Sequence, residues 1–202
     1  MGTSDAVGPD ALDRRAIDAN RRQPCTRTLR FPNSRETVST YYGSGVTTHF
    51  YATNLSWDGS TAAGYRAYSR SHRVSAPPAA AELTLSADPH YRGDETLLNP
   101  EQLLVMAVSS CQLLSFLALA ALRHVNVLSY EDDARGSMAD DVSPVRISHI
   151  ELVPTIQVEA GTDHDLVRAL VHEAHETCYI ANSLNTTITV EPKVIEDIDL
   201  AE

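Results

Sequence analysis

Two cysteines, Cys111 and Cys178, carry the most distinctive chemistry in this sequence. Cys111 lies near the middle of a long apolar segment and Cys178 at the end of an amphipathic one, and both segments are predicted helices. Four-residue steps from Leu166 through Leu170 and Ala174 lead to Cys178, so we expect it to face the core. Such cysteines can be reactive thiols, but free cysteine is also a common core residue, so a packing role is the alternative.

The neighbours of Cys111 favour a reactive thiol over a packing role. Three small or polar residues, Ser109, Ser110 and Gln112, surround it in an otherwise apolar helix. Burial alone raises the pKa of a thiol, so a reactive Cys111 is expected to need a nearby cation. Residues 102–122 contain no Lys or Arg, and Arg92 in the preceding loop is the candidate. Its alternative role is that of a solvated loop arginine.

Glu101, in the first turn of the long helix, is a second candidate, with the plainer role of satisfying the helix dipole. As an active-site residue it would hold Arg92 in place. Ten residues at a rise of ~1.5 Å separate Glu101 from Cys111 by about 15 Å. A site containing both therefore needs Glu101 from a second subunit.

A metal site and a hydrolase are weaker alternatives. His172, His175 and Cys178 are spaced three apart on one predicted helix, but His172 points well away from Cys178 and no second cluster supplies further ligands. A Cys–His hydrolase or acyl transferase needs a histidine beside its cysteine, and the sequence places no histidine next to Cys111. The sequence predicts no metal and no cofactor.

The elements that must position these residues read as an α+β domain. Asn99, Pro100 and Gln102 form a capping-box-like start to a helix that runs to Leu122. A second helix is predicted from an N-cap at Thr162. Six strands are predicted, at residues 49–57, 61–74, 82–86, 127–138, 142–160 and 186–190. The fifth is expected to bend at Pro154.

Composition narrows the class of protein. The chain has 202 residues and a formal net charge of −11, without a basic patch, so nucleic acid is an unsuitable partner. Residues 1–15 lack the apolar stretch of a secretory signal, and we therefore predict a cytoplasmic location. The long helix has the length of a membrane span, but its polar interruptions favour a buried helix, at a domain centre or between subunits. Residues 1–44, with Cys25, are predicted to be a flexible extension to a domain at 45–202.

Several segments together resemble the osmotically inducible protein C / organic hydroperoxide resistance (OsmC/Ohr) family. They are Ala87–Asp94 (ADPHYRGD), Leu98–Leu104 (LNPEQLL) followed by Ser110-Cys111, and Ala174–Ser183 (AHETCYIANS). The resemblance covers residues 49–194. It implies antiparallel sheets packed around a long buried central helix, in an intertwined homodimer with active sites at the subunit interface. Many members have Pro after the second cysteine, where this chain has Tyr179.

The resemblance also implies an activity. Cys111 would be the thiol that attacks an organic hydroperoxide and becomes a sulfenic acid, and Cys178 would resolve it as a disulfide. Arg92 and Glu101 would fill the family's arginine and glutamate roles. A dithiol, lipoyl-type or another small or protein thiol, would reduce the disulfide. The alternatives are a Cys-dependent hydrolase or acyl transferase and a non-catalytic dimer that binds hydrophobic ligands.

Overall fold

The computed structural model describes residues 47–197 except 142, together with the backbone of two short strands nearer the N-terminus. Contacts divide the chain into two units, Met1–Tyr51 and Ala52–Glu202. In the first unit, β1 (Arg27–Leu29) pairs antiparallel with β2 (Val38–Thr40), a hairpin that the sequence did not predict. Cys25 lies outside the described residues.

The second unit is an α+β domain, as predicted. Its strands are β3 (Asn54–Ser56), β4 (His72–Ser75), β5 (Glu82–Leu85), β6 (Val127–Asp132), β7 (Arg135–Met138), β8 (Ile147–Leu152), β9 (Pro154–Val158), β10 (Thr187–Val190) and β11 (Lys193–Glu196). They form three three-stranded sheets in the orders β3-β4-β5, β10-β8-β7 and β11-β9-β6. Antiparallel pairs predominate, but β10 with β8 and β11 with β9 are parallel.

Helix α1 (Pro100–Leu122) begins where the sequence predicts. The Asn99 side chain accepts from the Gln102 amide at 2.8 Å, and Gln102 Oε1 accepts from the Asn99 amide at 3.0 Å. These two bonds satisfy backbone donors that a helix start leaves free. By length and composition α1 is long enough to cross a bilayer. It packs instead against α2 and strands β6–β8, with Val108, Gln112, Phe116 and Ala120 buried.

Helix α2 (His164–Thr177) starts one residue later than predicted. Asp163, not Thr162, is its N-cap and accepts from the Asp165 and Leu166 amides. The Thr162 hydroxyl donates instead to the Glu159 carbonyl at 2.6 Å. The buried face of α2, which includes Val167, Leu170, Val171 and Ala174, packs on α1 and completes the core with β8 and β9.

The predicted strand at residues 61–74 is wrong for most of its length. The Arg70 guanidinium lies 4.8 and 4.2 Å from the ring centroids of Tyr65 and Tyr68 and donates to both of their carbonyls. These cation–π contacts and hydrogen bonds hold the segment as a loop, and only His72–Ser75 joins a sheet. The apparent alternation along this segment therefore reflects a folded loop.

The two long strands predicted at 127–138 and 142–160 are each divided between two sheets. The second changes sheet at Val153, whose amide donates to Asp132 Oδ1 at 2.8 Å, while Ser109 donates to Asp132 Oδ2 at 2.5 Å. Asp132 thus ties helix α1 to the crossing between β8 and β9. One further strand, β11, was not predicted.

Candidate active site

The structure brings the two candidate thiols into contact. Cys111 lies half-buried in the middle of α1, and Cys178 is the fully buried C-cap of α2. The two side chains lie close enough for a hydrogen bond between them to lower the pKa of Cys111 and raise that of Cys178, and both cysteines are reduced. The predicted core-facing position of Cys178 is confirmed.

The turn that follows α2 directs backbone amides at the Cys111 sulfur. Cys178 leaves the helical conformation (φ −66°, ψ 116°), and a short 3-10 helix follows at Ala181–Ser183. Asn182 holds this turn because its side-chain amide donates to the Glu176 and Cys178 carbonyls at 2.9 and 3.0 Å. The amides of Tyr179 and Ile180, released from helical bonding, donate to the Cys111 sulfur.

Hydrogen bonds set the ionisation of Cys111. Burial acts to raise the pKa of this thiol, but bonds from the Cys178 side chain, the Ile180 and Tyr179 amides and the Ser115 hydroxyl outweigh it. The net pKa lies below the ordinary value, because each donor stabilises the thiolate. Among the described residues, the groups that lower this pKa include no cation, whereas the sequence predicted one. We call these groups, with the two thiols, the cysteine contact.

The pKa of Cys178 is shifted in the opposite direction. Burial raises it first, and the hydrogen bond and negative charge of Cys111 raise it further, while the Ala181 and Ile180 amides oppose the change. The Ala181 amide lies 3.5 Å from the Cys178 sulfur. Of the two thiols, Cys111 therefore ionises more readily, and Cys178 is the one that retains its proton and can donate it to a Cys111 thiolate.

Ser115 is a site residue that the sequence argument missed. It lies four residues after Cys111 on α1, and residues four apart share a helix face, so spacing alone gave a usable signal. The roles of the Tyr179 and Ile180 amides had no such signal, because they depend on the turn after α2.

Glu101 lies in a different place, as the helix length requires. It lines a groove of about 940 Å³ between the N-terminal half of α1 and strands β6–β8, together with Tyr91, Val105, Met106 and Tyr130. Its Oε2 atom and the Tyr130 hydroxyl are buried without a hydrogen-bond partner in the described part of the chain. We call this region the Glu101 groove.

Arg92 is exposed and is not among the groups that act on Cys111 in the described chain. It ends the short 3-10 helix Pro89–Tyr91 in a left-handed conformation, with φ of 67°. A Cβ at Gly93 would lie 1.5 Å from the Ala87 carbonyl oxygen, so glycine is required for this tight loop. Among residues 47–197 as described, the ion pairs involve neither Arg92 nor Glu101. One chain alone does not assemble the four predicted residues.

The metal and hydrolase alternatives gain no support. Within the described residues, no three His, Cys, Asp or Glu side chains are grouped to hold a metal ion. His172 and His175 line a shallow pocket with Glu191. The groups that act on Cys111 in the described chain include no histidine.

Comparison with known proteins identifies a family and a fold. The family model described as OsmC-like protein matches residues 93–193. An OsmC-like protein of unknown function from Vibrio cholerae is 28% identical over 73% of this chain and 100% of its own, with a TM-score of 0.64. No functionally curated protein matches the sequence.

Two more distant structures share the fold. An organic hydroperoxide resistance protein from Elizabethkingia anophelis is 16% identical, with a TM-score of 0.57 and coverage of 75% of this chain and 99% of its own. An organic hydroperoxide resistance protein OsmC from Legionella pneumophila is 17% identical, with a TM-score of 0.52 and coverage of 74% and 98%.

Proposed function

This chain belongs to the OsmC-like protein family, and on that premise we propose that it is a two-cysteine thiol peroxidase that reduces organic hydroperoxides to alcohols. The observation that carries the proposal is the hydrogen-bonded contact between Cys111 and Cys178, with pKa values shifted in opposite directions. A pair of core cysteines that served only packing would not need four hydrogen-bond donors aimed at one sulfur.

The first step is attack on the peroxide. The Cys111 thiolate donates an electron pair to the terminal oxygen of ROOH, the O–O bond breaks, and RO⁻ takes a proton to leave as the alcohol. Cys111 becomes a sulfenic acid, so the sulfur is oxidised by two electrons. The lowered pKa increases the fraction of Cys111 that is ionised at a given pH, and the thiolate is the nucleophilic form.

The second step depends on the raised pKa of Cys178. While Cys111 is a thiolate, its charge and hydrogen bond keep Cys178 protonated. Formation of the neutral sulfenic acid removes both effects, so the pKa of Cys178 falls when a second nucleophile is needed. Cys178 then loses its proton and attacks the Cys111 sulfur, which releases water and forms the disulfide. A dithiol, lipoyl-type or another small or protein thiol, reduces that disulfide by exchange.

Arg92 and Glu101 complete the site from the partner of a homodimer in this proposal. Exposed apolar side chains on α1, Met106, Leu114 and Leu117, support an interface, because a soluble monomer rarely exposes such a surface. Leu55 and Leu83 on the β3-β4-β5 sheet are exposed as well. The partner's Arg92 would bind the peroxide oxygens near Cys111, and its Glu101 would orient that guanidinium.

We further propose a cytoplasmic location, without a nucleic acid or membrane partner. The OsmC-like fold is that of a small soluble protein. A reducing compartment keeps both thiols available for the catalytic cycle. The negative net charge disfavours a phosphate backbone.

The test is peroxide-dependent disulfide formation. Mass spectrometry after one equivalent of cumene hydroperoxide should show a loss of two hydrogens in a peptide pair linking Cys111 to Cys178. Cys111→Ser should abolish peroxide consumption with dihydrolipoamide, whereas Cys178→Ser should complete one fast turnover and then stall. Cys25→Ser, which removes the third cysteine, is the matched control and should behave as the wild type. Full peroxidase activity in Cys111→Ser would refute the proposal, and cleavage of a chromophoric ester by the wild type alone would favour a hydrolase.

A further inference from the structure

A buried glutamine adjoins Cys111 at the contact between the two helices. Gln112 has no exposed surface and lies on the same face of α1 as Val108 and Phe116, which are also fully buried. Polar residues are rarely buried so completely without a specific partner. Gln112 has no role in the chemistry proposed above.

The side chain of Gln112 binds the backbone of α2. Its Nε2 atom donates to the Val171 carbonyl at 2.9 Å, and this acceptor fixes the orientation of the amide, since only its nitrogen can donate there. Its Oε1 atom is buried and has no partner among the described residues. A buried acceptor without a partner is costly, so an apolar side chain of similar length would suit packing better. Stability alone does not account for glutamine here.

The same two helices are joined by the cysteine pair. Gln112 directly follows Cys111, and Val171 precedes Cys178 by seven residues, which is about two helical turns. A disulfide tolerates little error in the relative position of its two cysteines, because their Cα atoms must lie roughly 4.4–6.8 Å apart and the dihedral angle about the S–S bond is narrowly defined. Contacts among Val, Leu and Ala side chains permit small axial shifts, whereas a hydrogen bond to a main-chain carbonyl fixes one helix against the other.

We propose that Gln112 is a positioning residue whose hydrogen bond to Val171 holds α1 and α2 in the register that lets Cys111 and Cys178 form their disulfide. The inference rests on the proposed function only in that it concerns the same disulfide. It assigns the residue no contact with peroxide and no effect on the first oxidation of Cys111.

The test compares Gln112→Met with Gln157→Met. Methionine keeps the length of the side chain and removes its donor. Gln157 on β9 makes a similar bond, from Nε2 to Asp197 Oδ1 at 2.9 Å, outside the helix pair. In glutathione redox buffers without peroxide, Gln112→Met should lower the equilibrium constant for the Cys111–Cys178 disulfide by about fivefold, as expected for one lost hydrogen bond. Gln157→Met should leave it unchanged.

A second measurement separates positioning from other roles. In a Cys178→Ser background, Gln112→Met should not change the rate at which peroxide oxidises Cys111. An unchanged disulfide equilibrium, or an equal slowing of Cys111 oxidation in that background, would overturn the proposal. The proposal would also be overturned if the reduced Gln112→Met protein unfolded at a clearly lower denaturant concentration than the wild type, because the role of Gln112 would then be structural. Gln112→Leu is a second variant for the same measurement. Absence of any disulfide in the wild type would instead refute the proposed function.

Discussion

The cysteine contact and the Glu101 groove lie on the same helix, but they differ in how many of their polar atoms find hydrogen-bond partners within one chain. At the cysteine contact, the Cys111 sulfur receives donors from Cys178, Ser115 and two backbone amides. In the Glu101 groove, a carboxylate oxygen and the Tyr130 hydroxyl are buried without partners among the described residues. Because such atoms are costly when unpaired, the groove is the region that a second chain would complete.

Two helices of one chain, with the turn after α2, are enough to lower the pKa of one thiol and to bring a second thiol to it. They do not supply the cation and carboxylate of the proposed site. The thiol chemistry should therefore depend on contacts within a chain, and peroxide binding on contacts between chains.

The largest expected effect comes from Arg92, and it tests whether that residue acts across subunits. Arg92→Ala should lower kcat/KM for an organic hydroperoxide about a hundredfold, the usual scale for loss of a charged group that stabilises a transition state. Mixing Arg92→Ala with inactive Cys111→Ser subunits should restore about a quarter of the wild-type activity, because half of a random dimer mixture is hybrid and each hybrid contains one intact site. The measurement is peroxide consumption after unfolding and refolding the two proteins together.

Arg123→Ala is the control for the Arg92 experiment. Arg123 forms an exposed ion pair with Glu173 at 3.8 Å, and such pairs contribute little. Restoration that never exceeds the sum of the separate activities would mean that Arg92 acts within its own chain or not at all.

The next effect concerns Glu101 and sharpens the same distinction. Glu101→Gln keeps the shape of the side chain and removes its charge, so an arginine from a partner would lose its orienting group. We expect about a tenfold decrease in kcat/KM, in line with the cost of misplacing a catalytic group. Alkylation of Cys111 by iodoacetamide should not change, since Glu101 lies outside the cysteine contact. Glu95→Gln in the preceding loop is the control, and an equal effect there would remove the special role of Glu101.

Sequence alone predicted the helix start but not the sheets. The capping box of Asn99 and Gln102 depends only on residues close together in sequence, so it could be recognised without knowledge of the tertiary structure. At the start of α2, Thr162 and Asp163 are adjacent and both suitable caps, so sequence did not separate them. Local alternation could not show that the chain changes sheet at Val153, because that crossing depends on Asp132 binding it from another strand.

The candidate site divides in a similar way. The buried position of Cys178 follows from helical spacing, and the separation of Glu101 from Cys111 follows from the helical rise. The contact between the thiols required knowledge of which helix faces meet. The donors at Tyr179 and Ile180 required the turn after α2, which no periodic pattern encodes.

A smaller effect tests the hydrogen bond between the two thiols. Cys178→Ala removes the donor and should raise the pKa of Cys111, whereas Cys178→Ser retains an O–H donor and should largely preserve it. At pH values below the Cys111 pKa, a raised pKa means less thiolate, so alkylation of Cys111 should be about fivefold slower in Cys178→Ala than in Cys178→Ser. The two rates should converge as pH rises above both pKa values. Identical pH profiles for the two variants would show that Cys178 does not stabilise the thiolate.

The smallest effect is expected at Ser115. Ser115→Ala removes one donor and leaves the Cys178 side chain and two amides in place, so the pKa of Cys111 should rise only slightly. Alkylation at a pH below that pKa should slow about twofold, the lower range for one hydrogen bond among several. Ser110→Ala alters the residue next to Cys111, which gives its sulfur no hydrogen bond in the described chain, and should leave the profile unchanged. If Ser115→Ala slowed alkylation as much as Cys178→Ala, the helix itself would be the main source of the thiolate, and the cysteine contact would owe less to α2 than its geometry implies.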